Sequence, residues 1–267
     1  MDFLHKIPMK YKYLAMSVIL VLLVIILIFT IVHINRNTDA TPGQTTVATA
    51  STTKKERTSG ELSGDSTFLV VCKDTASDSI VFMSLLDFHI YSDNIILTML
   101  SPDTVYNGRT YKECLVYGGT GMLVEAVESV RHCTIDRYAV MNDDGFRGII
   151  DLMGQVPMVV TENYSYHSSD KSYAVNAGEN DMEAAMLYTY IKLNSEKPDG
   201  MRRVAELLCT VINHYMETAD AEDAQTLFGK LCNCVSTDVT VFDYFSCSAD
   251  IEYLITHRAK CSVFDMN

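Results

Sequence analysis

The residues with the most chemical potential are carboxylates that close apolar segments. In "LTMLSPDTVYNGRT" an apolar run stops at Pro102-Asp103, and in "KDTASDSIVF" Asp78 lies in a polar turn between two apolar runs. Acids at the ends of separate strands can converge on one cation. An Asp in a turn also serves plain local hydrogen bonding, so both readings stand. Arg109, in "VYNGRT", is either a solvated loop charge or a cation turned inward. Other chemistries find less support. His132, His167 and His214 form no spaced cluster, and no Gly-x-Ser-x-Gly elbow is present for a nucleophilic serine. Gly118 to Gly121 resembles a phosphate-cradling turn but has no P-loop lysine, so a helix-entry turn is expected there. Cys232-Asn233-Cys234 is spaced too closely for a common zinc knuckle. Cys72, Cys114, Cys133 and Cys209 have apolar surroundings that suit small buried thiols. The even total of eight also permits disulfides if the domain is exported.

The elements that must position these groups follow from patterning. From Leu14 to Val32 no residue is charged, and the run matches the ~20 residues a helix needs to cross a hydrocarbon core. Lys6, Lys10 and Lys12 precede it, against the single acid Asp2. The positive-inside bias therefore predicts a cytoplasmic start at 1–12, a membrane helix at 13–34 and an exported remainder. Without those four charges, 18 of the 21 basic and 33 of the 34 acidic residues remain, a net of −15. Such a domain lacks the basic footprint of a nucleic-acid binder, so no nucleic-acid partner is expected. Residues 35–64 are Thr-, Ser- and Gly-rich and read as a flexible linker.

Beyond the linker, "STFLVVCK", "SIVFMSLL" and "NIILTML" are strand-like. A helical stretch covers Met122 to Val130, and "IDRYAVMN" reads as a further strand. Asn142 or Asp143 could cap a short helix to Met153, "VPMVVTE" is extended, and a helix begins near Pro198. Alternating strands and helices predict an α/β domain with layered faces.

The order of these pieces resembles the LytR-CpsA-Psr family of bacterial cell-envelope proteins. Ala76-Ser77-Asp78 and Ser101-Pro102-Asp103-Thr104 stand where that family has its Arg-x-Asp and Pro-Arg-Asp-Thr turns. "YGGTGMLVEAVESVRHCTIDRYAVMNDDGFRGIIDLMGQV" looks like its Tyr-Gly-Gly, Ile-Asp-x-Tyr and Gly-Phe-x-x-x-(Ile/Val)-Asp block. "AAMLYTYIKLNSEKPDGMRRVAE" resembles its Ala-Leu-x-Tyr-x-Arg-x-Arg, four residues, Asp-x-x-Arg-x-x-Arg-Gln motif. The resemblance runs from about residue 65 to about 255, leaving 256–267 as a tail. It implies a layered α/β/α sandwich around a mixed sheet, preceded by one transmembrane helix and facing the extracytoplasmic side of the cell membrane. It further implies a glycopolymer on a polyprenyl-pyrophosphate carrier as substrate and peptidoglycan as acceptor, with the lipid tail in an apolar cavity. By this resemblance the catalytic residue Asp103 and Asp78 would hold Mg2+, while Lys192, Arg202 and Asp199 would meet the pyrophosphate; Arg109, if its loop turns inward, would add to them. Hard oxygen ligands suit that ion, and phosphoryl transfer asks mainly for positioning and positive charge.

Departures from the family pattern weigh against catalysis. The expected arginines are replaced by Ala76, Pro102, Lys192, Asn194 and, at the closing Arg-Gln pair, Ala205-Glu206. Only lysine keeps the charge, and it lacks the planar fork that grips two phosphate oxygens. Glu206, four residues after Arg202, is placed to pair with it and dilute the positive field. Losing one transition-state charge contact can cost ~3 kcal/mol. Three readings therefore compete: a magnesium-dependent glycopolymer transferase, a non-catalytic relative that binds lipid phosphate or regulates the envelope, and a stalked surface protein that only contacts other proteins.

Overall fold

The structure is a computed structural model that describes residues 64–167 and 172–264. The expected membrane helix, and the linker up to residue 63, lie outside the described residues. Among the described residues no helix is long and apolar enough to cross a membrane.

The three strand-like runs form β1 (Ser66–Lys73), β2 (Ile80–His89) and β3 (Asn94–Met99). They pair as an antiparallel meander and are the centre of a six-stranded mixed sheet ordered β11-β6-β1-β2-β3-β12. Strand β6 (Arg137–Asn142) adds parallel to β1, and β12 (Lys260–Val263) adds parallel to β3. Strand β11 (Ser236–Thr237) caps the other edge. Strand β12 lies within the stretch expected to be a tail.

Period-two alternation decides which residues meet which layer. Leu69, Val71, Met83 and Leu85 pack beneath α1 (Tyr111–Arg131), against Tyr111, Cys114, Leu123, Ala126 and Val127. On the other face Cys72, Phe82, Ile95 and Leu97 pack under the remaining helices. These are α2 (Asp143–Met153), α3 (Ala184–Ser195), α4 (Gly200–Thr218), α5 (Ala224–Cys232) and α6 (Val241–Thr256). Helices cover both faces, as expected from the resemblance.

Smaller ribbons fill the connections. Strands β4 (Val105–Tyr106) and β5 (Arg109–Thr110) form a hairpin whose Asn107 and Gly108 both have positive φ, 48° and 77°. Asn-Gly is the pair best suited to such a turn. Strand β7 (Val156–Val160) pairs β10 (Gly178–Met182), and β8 (Tyr164–His167) pairs β9 (Ser172–Val175).

Helix α1 starts earlier than the sequence suggested. Thr110 caps it: its hydroxyl accepts the Glu113 amide at 3.2 Å, while Glu113 accepts the Thr110 amide at 2.7 Å. The glycines expected to open the helix instead interrupt it, because Gly119 adopts φ 66°, ψ −165° between two helical stretches. Thr110→Ala removes the cap and should cost about 1 kcal/mol in denaturant unfolding. An unchanged midpoint would mean the hairpin, rather than the cap, fixes the helix start.

Candidate functional site

Strand β1 ends at Lys73, and the chain turns back through residues 74–79 into β2. The Asp74 amide donates to the Ser79 carbonyl at 2.8 Å, closing that turn. Asp74 is 4% exposed and its carboxylate is the turn's hub. One oxygen accepts the Ser77 amide at 3.0 Å and the Ser77 hydroxyl at 2.6 Å. The other accepts the Tyr188 hydroxyl at 2.9 Å and meets the Lys192 ammonium at 2.9 Å. Burial alone would raise this carboxyl's pKa, but the donors from Ser77, Lys192 and Tyr188 outweigh it and hold the group well below the ordinary carboxylate range.

Helix α3 delivers both α3 partners because Tyr188 and Lys192 are one turn apart and share a face. The next wall is the start of α2, where Asn142 accepts the Gly145 amide at 2.9 Å as cap. Asp143, in the first turn, accepts the Thr75 hydroxyl and the Thr75 amide, the latter at 3.3 Å. Arg147 holds Asp143 at 2.6 Å and Asp144 at 2.8 Å, with its guanidinium 5.9 Å from the centre of the Tyr188 ring. The strand-end turn, α2 and α3 therefore meet in one polar network. Burial keeps Tyr188 protonated, and its bond to Asp74 acts in the same direction, so it remains a donor.

The expected site residues divide. Asp78 lies on this turn in a left-handed conformation (φ 51°) and pairs with Lys73 at 2.6 Å. That bond pulls its pKa down, and Lys112 adds a smaller pull in the same direction. Lys192 reaches the same turn through Asp74. Asp103 is exposed on the 101–104 turn, which docks on the start of α1 through the Lys112 amide and the Pro102 carbonyl, 3.0 Å apart. Arg109 is exposed, its guanidinium 5.6 Å from the centre of the Tyr117 ring. Arg202 pairs with Glu206 at 2.6 Å, the neutralisation expected from their spacing, and with Asp199 at 3.7 Å. Asp199 is in turn held by Arg203 at 2.8 Å, which lowers its pKa. Among the described residues no hydrogen bond or ion pair joins Asp103 to Asp78, Lys192 or Arg202.

Asn194, at the second replaced arginine position, is 2% exposed. Its amide donates to the Tyr190 carbonyl at 2.7 Å and its oxygen accepts the Tyr164 hydroxyl at 3.4 Å. Lys197 bonds that same hydroxyl, so a cation returns near the vacated position from the following loop.

Sequence reading missed the hub. Asp74 was visible only as a polar turn residue, although it follows the apolar run directly. The four-residue spacings Asp143–Arg147 and Tyr188–Lys192 were the available signals.

Magnesium fits this arrangement poorly. All acceptor positions of Asp74 carry donors, Asp78 already has an ammonium partner, and no cluster of three His, Cys, Asp or Glu side chains suited to a metal occurs among the described residues.

Comparisons with known proteins agree with this architecture. The chain is 23% identical over 138 residues to the polyisoprenyl-teichoic acid–peptidoglycan teichoic acid transferase TagU of Bacillus subtilis, which covers 50% of this chain and 44% of that protein. It thus spans less than half the length of that curated relative. A Eubacterium siraeum structure superposes with a TM-score of 0.66 at 13% identity, covering 84% of this chain and 89% of that one. Bacillus subtilis TagV superposes with a TM-score of 0.62 at 14% identity, over 76% and 85% of the two chains. The LytR_cpsA_psr family model matches residues 34–260, which contain five of the six strands of the main sheet, the first residue of β12 and the six described α-helices, and the chain belongs to that family.

Proposed function

We propose that the chain is a membrane-anchored, extracytoplasmic protein of cell-envelope assembly that binds a polyprenyl-phosphate-linked glycopolymer without transferring it to peptidoglycan. Family membership supports the envelope role, and the teichoic acid transferase named among its relatives supports the class of polymer. The observation that carries the non-catalytic reading is the commitment of Lys192 to Asp74. It is the only cation kept at the five replaced arginine positions. Around the turn, Lys73, Lys112, Arg147 and Lys192 are matched by Asp74, Asp78, Asp143 and Asp144. A balanced network can orient a phosphate, but it offers little surplus charge to stabilise phosphoryl transfer.

The full chain in detergent micelles, given a polyprenyl-pyrophosphate sugar and a peptidoglycan acceptor, tests this reading. Retained lipid-phosphate binding with no product is the expected result, and EDTA should change that binding less than twofold. Magnesium-dependent product that disappears in Asp103→Ala would instead establish the transferase reading.

A further inference from the structure

Cys209 on α4 and Cys261 on β12 place their sulfurs 2.9 Å apart, and both residues are buried. This is closer than unbonded sulfurs pack and longer than the ~2.05 Å of a disulfide. Their backbones are held in register by a second contact. Asn213, one helical turn after Cys209, accepts the Cys261 amide at 2.7 Å and donates to the Cys261 carbonyl at 3.1 Å. That clamp sets the height of the edge strand against the helix, so the approach of the sulfurs is built into the packing of β12 on α4. The remaining cysteines differ. Burial pushes the Cys72 thiol up to about 12.

We propose that Cys209 and Cys261 are a disulfide site that covalently staples the C-terminal edge strand to α4 when the protein meets an oxidising partner. In the step, two S–H bonds and the oxidant's S–S bond are broken while the Sγ–Sγ bond forms. The two thiols lose two protons and two electrons, and a small-molecule or protein disulfide accepts both and departs as two thiols. Exchange proceeds through a thiolate, and the hydrogen bond between the two sulfurs favours the first ionisation, lowering Cys209 while raising Cys261. Both thiols are buried, so the exchange proceeds through local opening of β12, which is only four residues long and lies at the edge of the sheet. The inference is independent of the glycopolymer reading, since it concerns only how the sheet is closed.

The test uses the full chain in detergent, equilibrated in oxidised glutathione, then alkylated, digested and mapped by mass spectrometry. A linked peptide joining Cys209 to Cys261 is expected, together with protection of only those two cysteines from alkylation after unfolding. The apparent Tm should rise by roughly 8 °C relative to the reduced chain, as closing a loop of this length predicts. Cys261→Ser and Cys209→Ser should each abolish both the link and the rise. Because mapping of the unsubstituted chain decides the question, a variant that folds poorly does not remove the test. If Cys209 and Cys261 both stay alkylatable in a buffer that oxidises the unfolded chain, or if either pairs with another cysteine, the proposal is overturned.

Discussion

Lys192→Met should destabilise the protein by about 3 kcal/mol at pH 7, the lower end of the cost of removing one partner from a buried ion pair. The lower end applies because the Lys192 side chain is 32% exposed, whereas that of Asp74 is 5% exposed. Without the ammonium, Asp74 keeps its bonds from Ser77 and Tyr188 but loses its countercharge, and the turn between β1 and β2 loses its tie to α3. The pH dependence distinguishes an electrostatic loss from a packing loss. The native pKa of Asp74 lies below its ordinary 3.8. Its contribution is therefore present above the unfolded value and declines as pH falls through 3.8 towards the native value. Much of this linkage depends on Lys192, so the stability gap between the two proteins should narrow below about pH 4. Urea unfolding at pH 7, 5 and 3.5 measures it. A gap that stays constant with pH would show that Lys192 acts through its methylene packing and not through Asp74. Lys73→Ala, which removes an exposed pair to Asp78, should leave stability unchanged in the same experiment.

How far the sequence reaches can be judged from the same residues. Strands β1, β2 and β3 were legible because β-branched and apolar residues fill them and polar turns separate them. The Asn142 cap and the α2 helix were legible from local chemistry. The start of α1 was not read, although Thr110 and Glu113 carry the spacing of a capping box, because the glycines downstream gave a stronger but misleading signal. Strand β12 could not be read at all: four residues after a helix acquire strand geometry only from pairing with β3. The site divides along the same line. Asp78 and Asp103 announce themselves as acids in turns. Asp74 becomes the hub only because Tyr188, 114 residues downstream, and Lys192 are folded onto it. Burial of a charge is decided by such distant partners, and a local window does not contain them. The pairing of Arg202 with Glu206 was legible because a helix sets it by spacing alone.

The Gly-Phe pair of α2 shows why one of the motifs shared with the family has its form. A Cβ placed on Gly145 would lie 2.2 Å from the Cys234 backbone carbonyl oxygen, far inside any tolerated contact. The first turn of α2 and the segment leading into β11 approach each other so closely that only glycine fits. Phe146, next in the chain, is 4% exposed and packs edge-on to Phe82 at 6.1 Å, with Tyr188 at 5.9 Å. The glycine thus lets the helix sit low enough for Phe146 to support the tyrosine that donates to Asp74. Because the obstructing atom is backbone, relief requires a shift of α2 or of the 232–235 segment, and Gly145→Ala should cost about 3 kcal/mol, the upper range for overpacking. The accompanying rise in intrinsic helix propensity, worth at most about 1 kcal/mol, does not offset it. Gly229→Ala is the matched control, since a Cβ there meets nothing within 4 Å and should raise stability slightly through that same propensity. Thermal unfolding of the two variants side by side decides the matter. Equal or higher stability in Gly145→Ala would mean that the close approach of α2 to Cys234 is not what positions Phe146, and with it the Tyr188–Asp74 bond.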